Sequence, residues 1–67
     1  MLDYNFKLYT VKRVNWDRKV QYWNFWTEYW TDKFDTDCMN KQFVAENIAK
    51  EYNAELVLLN VSVKEDE

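Results

Sequence analysis

The stretch Val20-Gln21-Tyr22-Trp23-Asn24-Phe25-Trp26-Thr27-Glu28-Tyr29-Trp30 decides how the rest of the chain can fold. It holds three of the four tryptophans, two tyrosines and a phenylalanine, separated only by Gln, Asn, Thr and Glu. Two periods fit it. Tyr22, Trp23, Phe25, Trp26, Tyr29, Trp30 and Phe34 recur at helical spacing. With period two, Trp23, Phe25, Thr27 and Tyr29 share one face, and Tyr22, Asn24, Trp26, Glu28 and Trp30 the other. Intrinsic preference separates the two readings. Residues 17–34 contain no Ala, Leu or Met, and aromatic and β-branched side chains suit a pleated surface better than a helical turn. The spacing and composition together predict one continuous strand over residues 20–30.

Toward the N-terminus, residues 2–14 read as a first strand. Leu2, Tyr4, Phe6 and Leu8 alternate on one face, and Tyr9 and Val11 continue on the other. Asn15-Trp16-Asp17-Arg18 supplies turn-forming Asn and Asp between the strands. No Asn-Gly is present, so the turn is expected to be looser than the two-residue types. A turn centred between Trp16 and Asp17 sets Leu8 opposite Phe25 and Lys7 opposite Trp26. In that register Leu2, Tyr4, Phe6, Leu8 and Thr10 meet the core with Trp23, Phe25 and Tyr29. Lys7, Tyr9, Val11, Tyr22, Trp26 and Trp30 are then left on the opposite face. A slip of one residue would re-pair the faces.

Toward the C-terminus, Asp35-Thr36-Asp37 carries the signature of a helix start. Asp37 with Lys41 and Glu46 with Lys50 are acid-before-base pairs at i,i+4. Val44, Ala45, Ile48, Ala49 and Tyr52 form the side expected to cover the sheet, and Asn53 is the expected C-cap. Residues 54–63 read as a third strand, with Val57, Leu59, Val61 and Val63 on one face and Leu56 and Leu58 on the other. The expected architecture is α+β: a ββαβ mini-domain whose three-stranded antiparallel sheet, order 2-1-3, carries one helix on one face. Residues 1–64 form a single domain in this reading, and 65–67 an acidic tail.

Composition narrows function mainly by exclusion. At 67 residues the chain is near the lower limit for folding without staples. An aromatic fraction of 19% is the compensation available to it. The lone Cys38 allows no intramolecular disulfide, which fits a reducing compartment. Its place in the first turn of the expected helix would lower the thiol pKa, but no base accompanies it. No run of about 20 apolar residues is present, so a cytoplasmic protein without a membrane partner is expected. There is no Gly and no His. Phosphate-cradling loops, ordinary zinc sites and histidine-activated nucleophiles are thereby excluded. The expectation is a non-enzymatic protein with no cofactor, no metal and no small-molecule substrate.

What remains is surface. The face bearing Lys7, Tyr9, Val11, Tyr22, Trp26 and Trp30, joined by Leu56 and Leu58, is the expected contact for a protein partner or for a second copy in a homodimer. Such a module would suit an accessory or inhibitor protein, for example of a phage. The alternative is nucleic acid. Lys12, Arg13, Arg18 and Lys19 flank Trp16 at the hairpin tip, where they could hold phosphates while the ring stacks on a base. The first 20 residues carry a balance of +3, but the remainder carries −6. That acidity weighs against nucleic-acid binding, and with Asp32, Asp35, Asp37 and Glu46 it admits acidic DNA mimicry instead.

Overall fold

The computed structural model describes residues 2–65, with side chains described for residue 5 and for residues 7–62. The expected orientations of Leu2, Tyr4 and Phe6 and the acidic tail lie outside the described side chains. Strand β1 (Leu2–Val14) is followed by β2 (Val20–Asn24) and β3 (Tyr29–Thr31). A single 3-10 turn (Thr36–Cys38), helix α1 (Gln42–Tyr52) and strand β4 (Glu55–Glu65) complete the chain.

The three-stranded expectation is overturned: the sheet has four antiparallel strands, ordered β3-β2-β1-β4. The aromatic stretch is two strands folded against each other, not one. Asn24 is the cause. Its side-chain oxygen accepts the backbone N–H groups of Trp26 and Thr27, both at 2.9 Å, while its carbonyl accepts the Glu28 N–H at 2.8 Å. This is the local competition by which Asn diverts a chain from sheet pairing into a turn. Glu28 closes the loop at φ 57°, a left-handed conformation unfavourable for a residue with a Cβ. Once reversed, the chain sets Trp30 directly across from Trp23.

The first hairpin is also shifted from the expected register. Lys12 pairs with Tyr22, Arg13 with Gln21 and Val14 with Val20. Asn15 N–H donates to the Lys19 carbonyl at 2.7 Å, and Arg18 is left-handed at φ 67°. The loop between is therefore three residues with a final left-handed position. One residue of slip is enough to exchange faces. Val11 now lies beside Trp23, whereas Thr10 and Tyr22 point away from them.

Helix α1 packs on the Val11 face. Val11, Trp23, Ala45 and Ala49 are buried together, with Tyr9, Phe25, Trp30, Ile48, Ala54 and Leu56 packed around them. The small Ala45 and Ala49 let the helix approach closely, and the indoles fill the space that they leave. Tyr52 completes the stack, with ring centroids 4.9 Å from Trp23 and 5.6 Å from Trp30. The helix ends as its sequence predicts. Asn53 is left-handed (φ 52°, ψ 45°), and the Ala54 N–H returns to the Ala49 carbonyl at 2.8 Å.

Its start lies later than expected. Asp35 caps the 3-10 turn, accepting the Asp37 N–H at 3.0 Å, but Met39 then turns extended at ψ 142°. Asn40 pairs with Tyr9 through bonds of 2.8 and 2.9 Å before α1 begins. Segment 34–40 thus fills the edge of β1 that β2 abandons at Asn24. Beyond Tyr9 toward the N-terminus, β1 pairs only with β4 among the described residues. The two strands form a ribbon that draws the molecule out to 47 × 22 × 19 Å. No helix among the described residues is long and apolar enough to cross a membrane.

Candidate interaction surface

The side chains expected to share one open face are distributed over three places. Val11 is fully buried under the helix, with Tyr9 and Trp30 at the margin of that core. Trp26 stands at the tip of the β2–β3 loop, 83% exposed. Tyr22 alone of the six lies on the helix-free face within the body, half-buried. Lys7 pairs with Asn60 on the ribbon and does not face Trp26. Leu56 belongs to the helix-side core, and Leu58 follows it on that face with nearly half its surface exposed.

The basic hairpin tip does not present its cations together. Lys12 Nζ lies 3.2 Å from Glu55 Oε2. The Arg13 guanidinium stacks 4.2 Å from the centre of the Trp30 ring, and its Nε donates to Gln21 Oε1 at 2.9 Å. Two of the four are thus engaged within the chain and lie on opposite faces of the sheet. Arg18 and Lys19 are exposed, and Trp16 projects 92% exposed between the strands. Among the described residues no group of three or more His, Cys, Asp or Glu side chains could hold a metal ion. Cys38 is fully buried, and burial pushes its thiol pKa up, with the Asp35 and Asp37 carboxylates adding to the rise. That reverses the lowering expected from a helix N-terminus, because Cys38 ends a 3-10 turn and does not begin α1.

The helix-free face takes in Leu8 and Thr10, which the sequence assigned to the core, beside Tyr22, which it did not. Leu8 and Thr10 of β1 face Leu59 and Val57 of β4, and Lys12 faces Glu55. Tyr22 of β2 adjoins this row, and Phe34 folds back over it with ring centroids 5.0 Å apart in an edge-on pair. Thr10, Lys12, Tyr22, Phe34, Val57 and Leu59 line a cleft of about 210 Å³. Thr10, one of the lining residues, is 2% exposed, and its hydroxyl is shielded from solvent and has no hydrogen-bond partner. A buried hydroxyl left in that state costs about 1–3 kcal/mol. Phe34 and Thr10 were the residues that period-two reasoning could not place here. Phe34 lies outside any strand, and Thr10 changes face with the register.

Two other hollows exist among the described residues. One, of about 220 Å³ at the β2–β3 tip, includes Phe25, Asp37 and Asn40. Backbone groups of all three are spent: Phe25 N–H on the Asp37 carbonyl at 2.8 Å, and Asn40 on Tyr9. The other, of about 280 Å³, lies between Lys12, Arg13 and the end of α1, where both cations are already engaged. Among the described residues, the open-face cleft is the one lined by a residue with a buried side-chain polar atom that has no hydrogen-bond partner. No family model matches the chain, and no curated protein or solved structure matches it either.

Proposed function

We propose that this chain is a non-enzymatic protein-interaction module that binds a partner through the helix-free face of its sheet. One observation carries the reading. The single helix covers only the Val11 face, and the opposite face keeps Leu8, Tyr22, Phe34, Val57, Leu59 and Val61 as a row of half-buried or exposed apolar side chains. Apolar surface gathered on one side of a small domain is what a partner removes from water. Tyr22 and Phe34 supply the aromatic character that binding centres favour. The test is site-directed photo-cross-linking in the producing cell. A benzophenone side chain at Leu59 should capture a discrete partner, whereas the same group at Phe43, exposed on α1, should not. Adducts from neither position, or equal adducts from both, would sink the reading.

Self-association is a second reading, favoured by a separate observation. β4 is an edge strand along its whole length, and residues 56–63 carry no charge, no Pro and no Gly. Strands of that kind pair with their own copies unless a charge or a proline blocks them, and antiparallel pairing about a two-fold axis closes as a dimer. Light scattering across protein concentration tests it. A dimer should be converted to monomer by Asn60→Lys, which places a charge on the exposed edge; a mass equal to one chain at every concentration removes this reading.

A further inference from the structure

We infer that the outer edge of β4 joins the same edge of a second copy in an antiparallel register centred on Leu59. Two four-stranded sheets then become one continuous sheet. The inference rests on the self-association reading above and assigns it a residue-by-residue pairing. β4 ends the sheet, and among the described residues β1 is its one paired neighbour. From Leu2 to Leu8, β1 in turn pairs only with β4 among the described residues, so one end of the molecule is a ribbon of two strands. Such a ribbon is marginally stable in water, and three or more strands are needed for independent stability. A second copy supplies the missing strands.

Backbone geometry limits the register. Alternate residues of an edge strand turn their N–H and C=O groups outward, and the two members of a hydrogen-bonded pair both do so. Two copies of one strand therefore pair odd positions with odd and even with even, and each residue meets one from the same face. Val57, Leu59 and Val61 are half-buried on the helix-free face, and Leu58, Asn60 and Ser62 are exposed on the helix side. With the centre at Leu59, that residue meets its own copy and Val57 meets Val61, so the apolar row runs unbroken across the junction. A centre at Leu58 would set Val61 against the charged Glu55. A centre at Asn60 would set the acidic positions 55 and 65 opposite each other. The helices leave room for this pairing. On β4 the helix-side core reaches Leu56, near the start of the strand, so an antiparallel copy carries its helix at the other end. Each narrow ribbon then lies beside the body of the other copy.

The test is disulfide capture in a Cys38→Ala background, since Cys38 is the one thiol of the chain. Under mild oxidation Leu59→Cys should give a covalent dimer of twice the chain mass. Asn60→Cys should not, because it lies two residues out of step with its copy, roughly 8 Å between Cα atoms. A disulfide reaches about 7 Å at most. A mixture of Val57→Cys and Val61→Cys should form the mixed covalent dimer while each alone stays uncoupled, and this arm decides the register even if Leu59→Cys fails to fold. Preferred capture through Asn60→Cys, or capture through neither Leu59→Cys nor the mixture, would overturn the register, although a dimer in light scattering would still uphold self-association. A mass of one chain at every concentration would remove self-association and the register with it.

Discussion

The two faces of this sheet use the same strands and nearly the same number of large side chains, yet only one is finished. On the helix side Trp23, Trp30 and Tyr52 stack within 4.9–5.6 Å of one another. Ala45 and Ala49 bring α1 down onto Val11, and Arg13 lies over the Trp30 ring. Every large group there has a neighbour. On the other side Tyr22, Val57 and Leu59 are covered by one folded-back residue, Phe34, which is itself 42% exposed. The difference lies in what the intervening chain provides. Eleven helical residues close one face, and a short irregular segment leaves a cleft with an unpaired hydroxyl on the other. A small domain has enough chain for one full cover, and these residues spend it on the indoles.

The largest effects should come from breaking the finished face. Trp23→Ala removes the ring that touches β1, β3 and α1 together, and should cost about 3–5 kcal/mol. In a domain of this size that is a large share of the whole stability, so urea denaturation should show little or no cooperative transition. Tyr22→Ala, one residue away but on the open face, removes a half-buried ring and should cost roughly 1 kcal/mol. Equal losses for the two variants would mean that the open face is as much a core as the other.

That comparison also explains what was legible in the sequence. β1, the antiparallel placement of β4 beside it, the apolar side of α1 and the Asn53 cap all rest on patterns spanning many residues or on a residue with one strong local preference. Two short-range events were illegible. The reversal after Asn24 depends on one side chain capturing two N–H groups, and no Gly advertises it; Glu28 takes the left-handed position that Gly would ordinarily mark. The one-residue shift of the first hairpin depends on Arg18 doing the same. Because strand faces alternate, that shift moved Val11 into the core and Thr10 out of it. The β1 positions of the candidate face, Lys7, Tyr9 and Val11, followed it, and Trp30 changed sides with the reversal after Asn24. Tyr22 kept its place on the open side, and Trp26 became a loop tip.

The turn that creates β3 can be strengthened without touching either face. Glu28→Gly removes the steric penalty at φ 57°, worth roughly 1–2 kcal/mol. Part of that is returned through the greater freedom of Gly in the unfolded chain, roughly 0.5–1 kcal/mol. A net gain of about 0.5–1 kcal/mol is expected, read as a higher denaturation midpoint with an unchanged slope. Asn53→Gly, at a position that already tolerates φ 52°, should gain less. A loss in Glu28→Gly would place the value of the turn in a Glu28 side-chain contact, not in its backbone.

The remaining contrast lies at the seam between the faces. Segment 34–40 starts with Phe34 on the open side and ends with Asn40 bonded to Tyr9 at the foot of the helix, and Cys38 is fully buried midway. Burial raises its thiol pKa above that of the unfolded chain, and the neighbouring Asp35 and Asp37 carboxylates raise it further. Above about pH 8.5, the ordinary range of a free thiol, the unfolded chain gives up this proton while the folded chain keeps it. The folded state then binds more protons than the unfolded one, so stability falls as pH rises. The contribution is whole below that range and is lost as pH climbs toward the folded-state pKa. Denaturation midpoints followed from neutral to alkaline pH should therefore fall more steeply for the wild type than for Cys38→Ala. Alkylation of Cys38 at neutral pH should track unfolding, because the thiol is reached only when the seam opens. Rapid alkylation of the folded protein would mean that the segment joining the two faces detaches on its own, leaving the helix side closed while the cleft side loses Phe34.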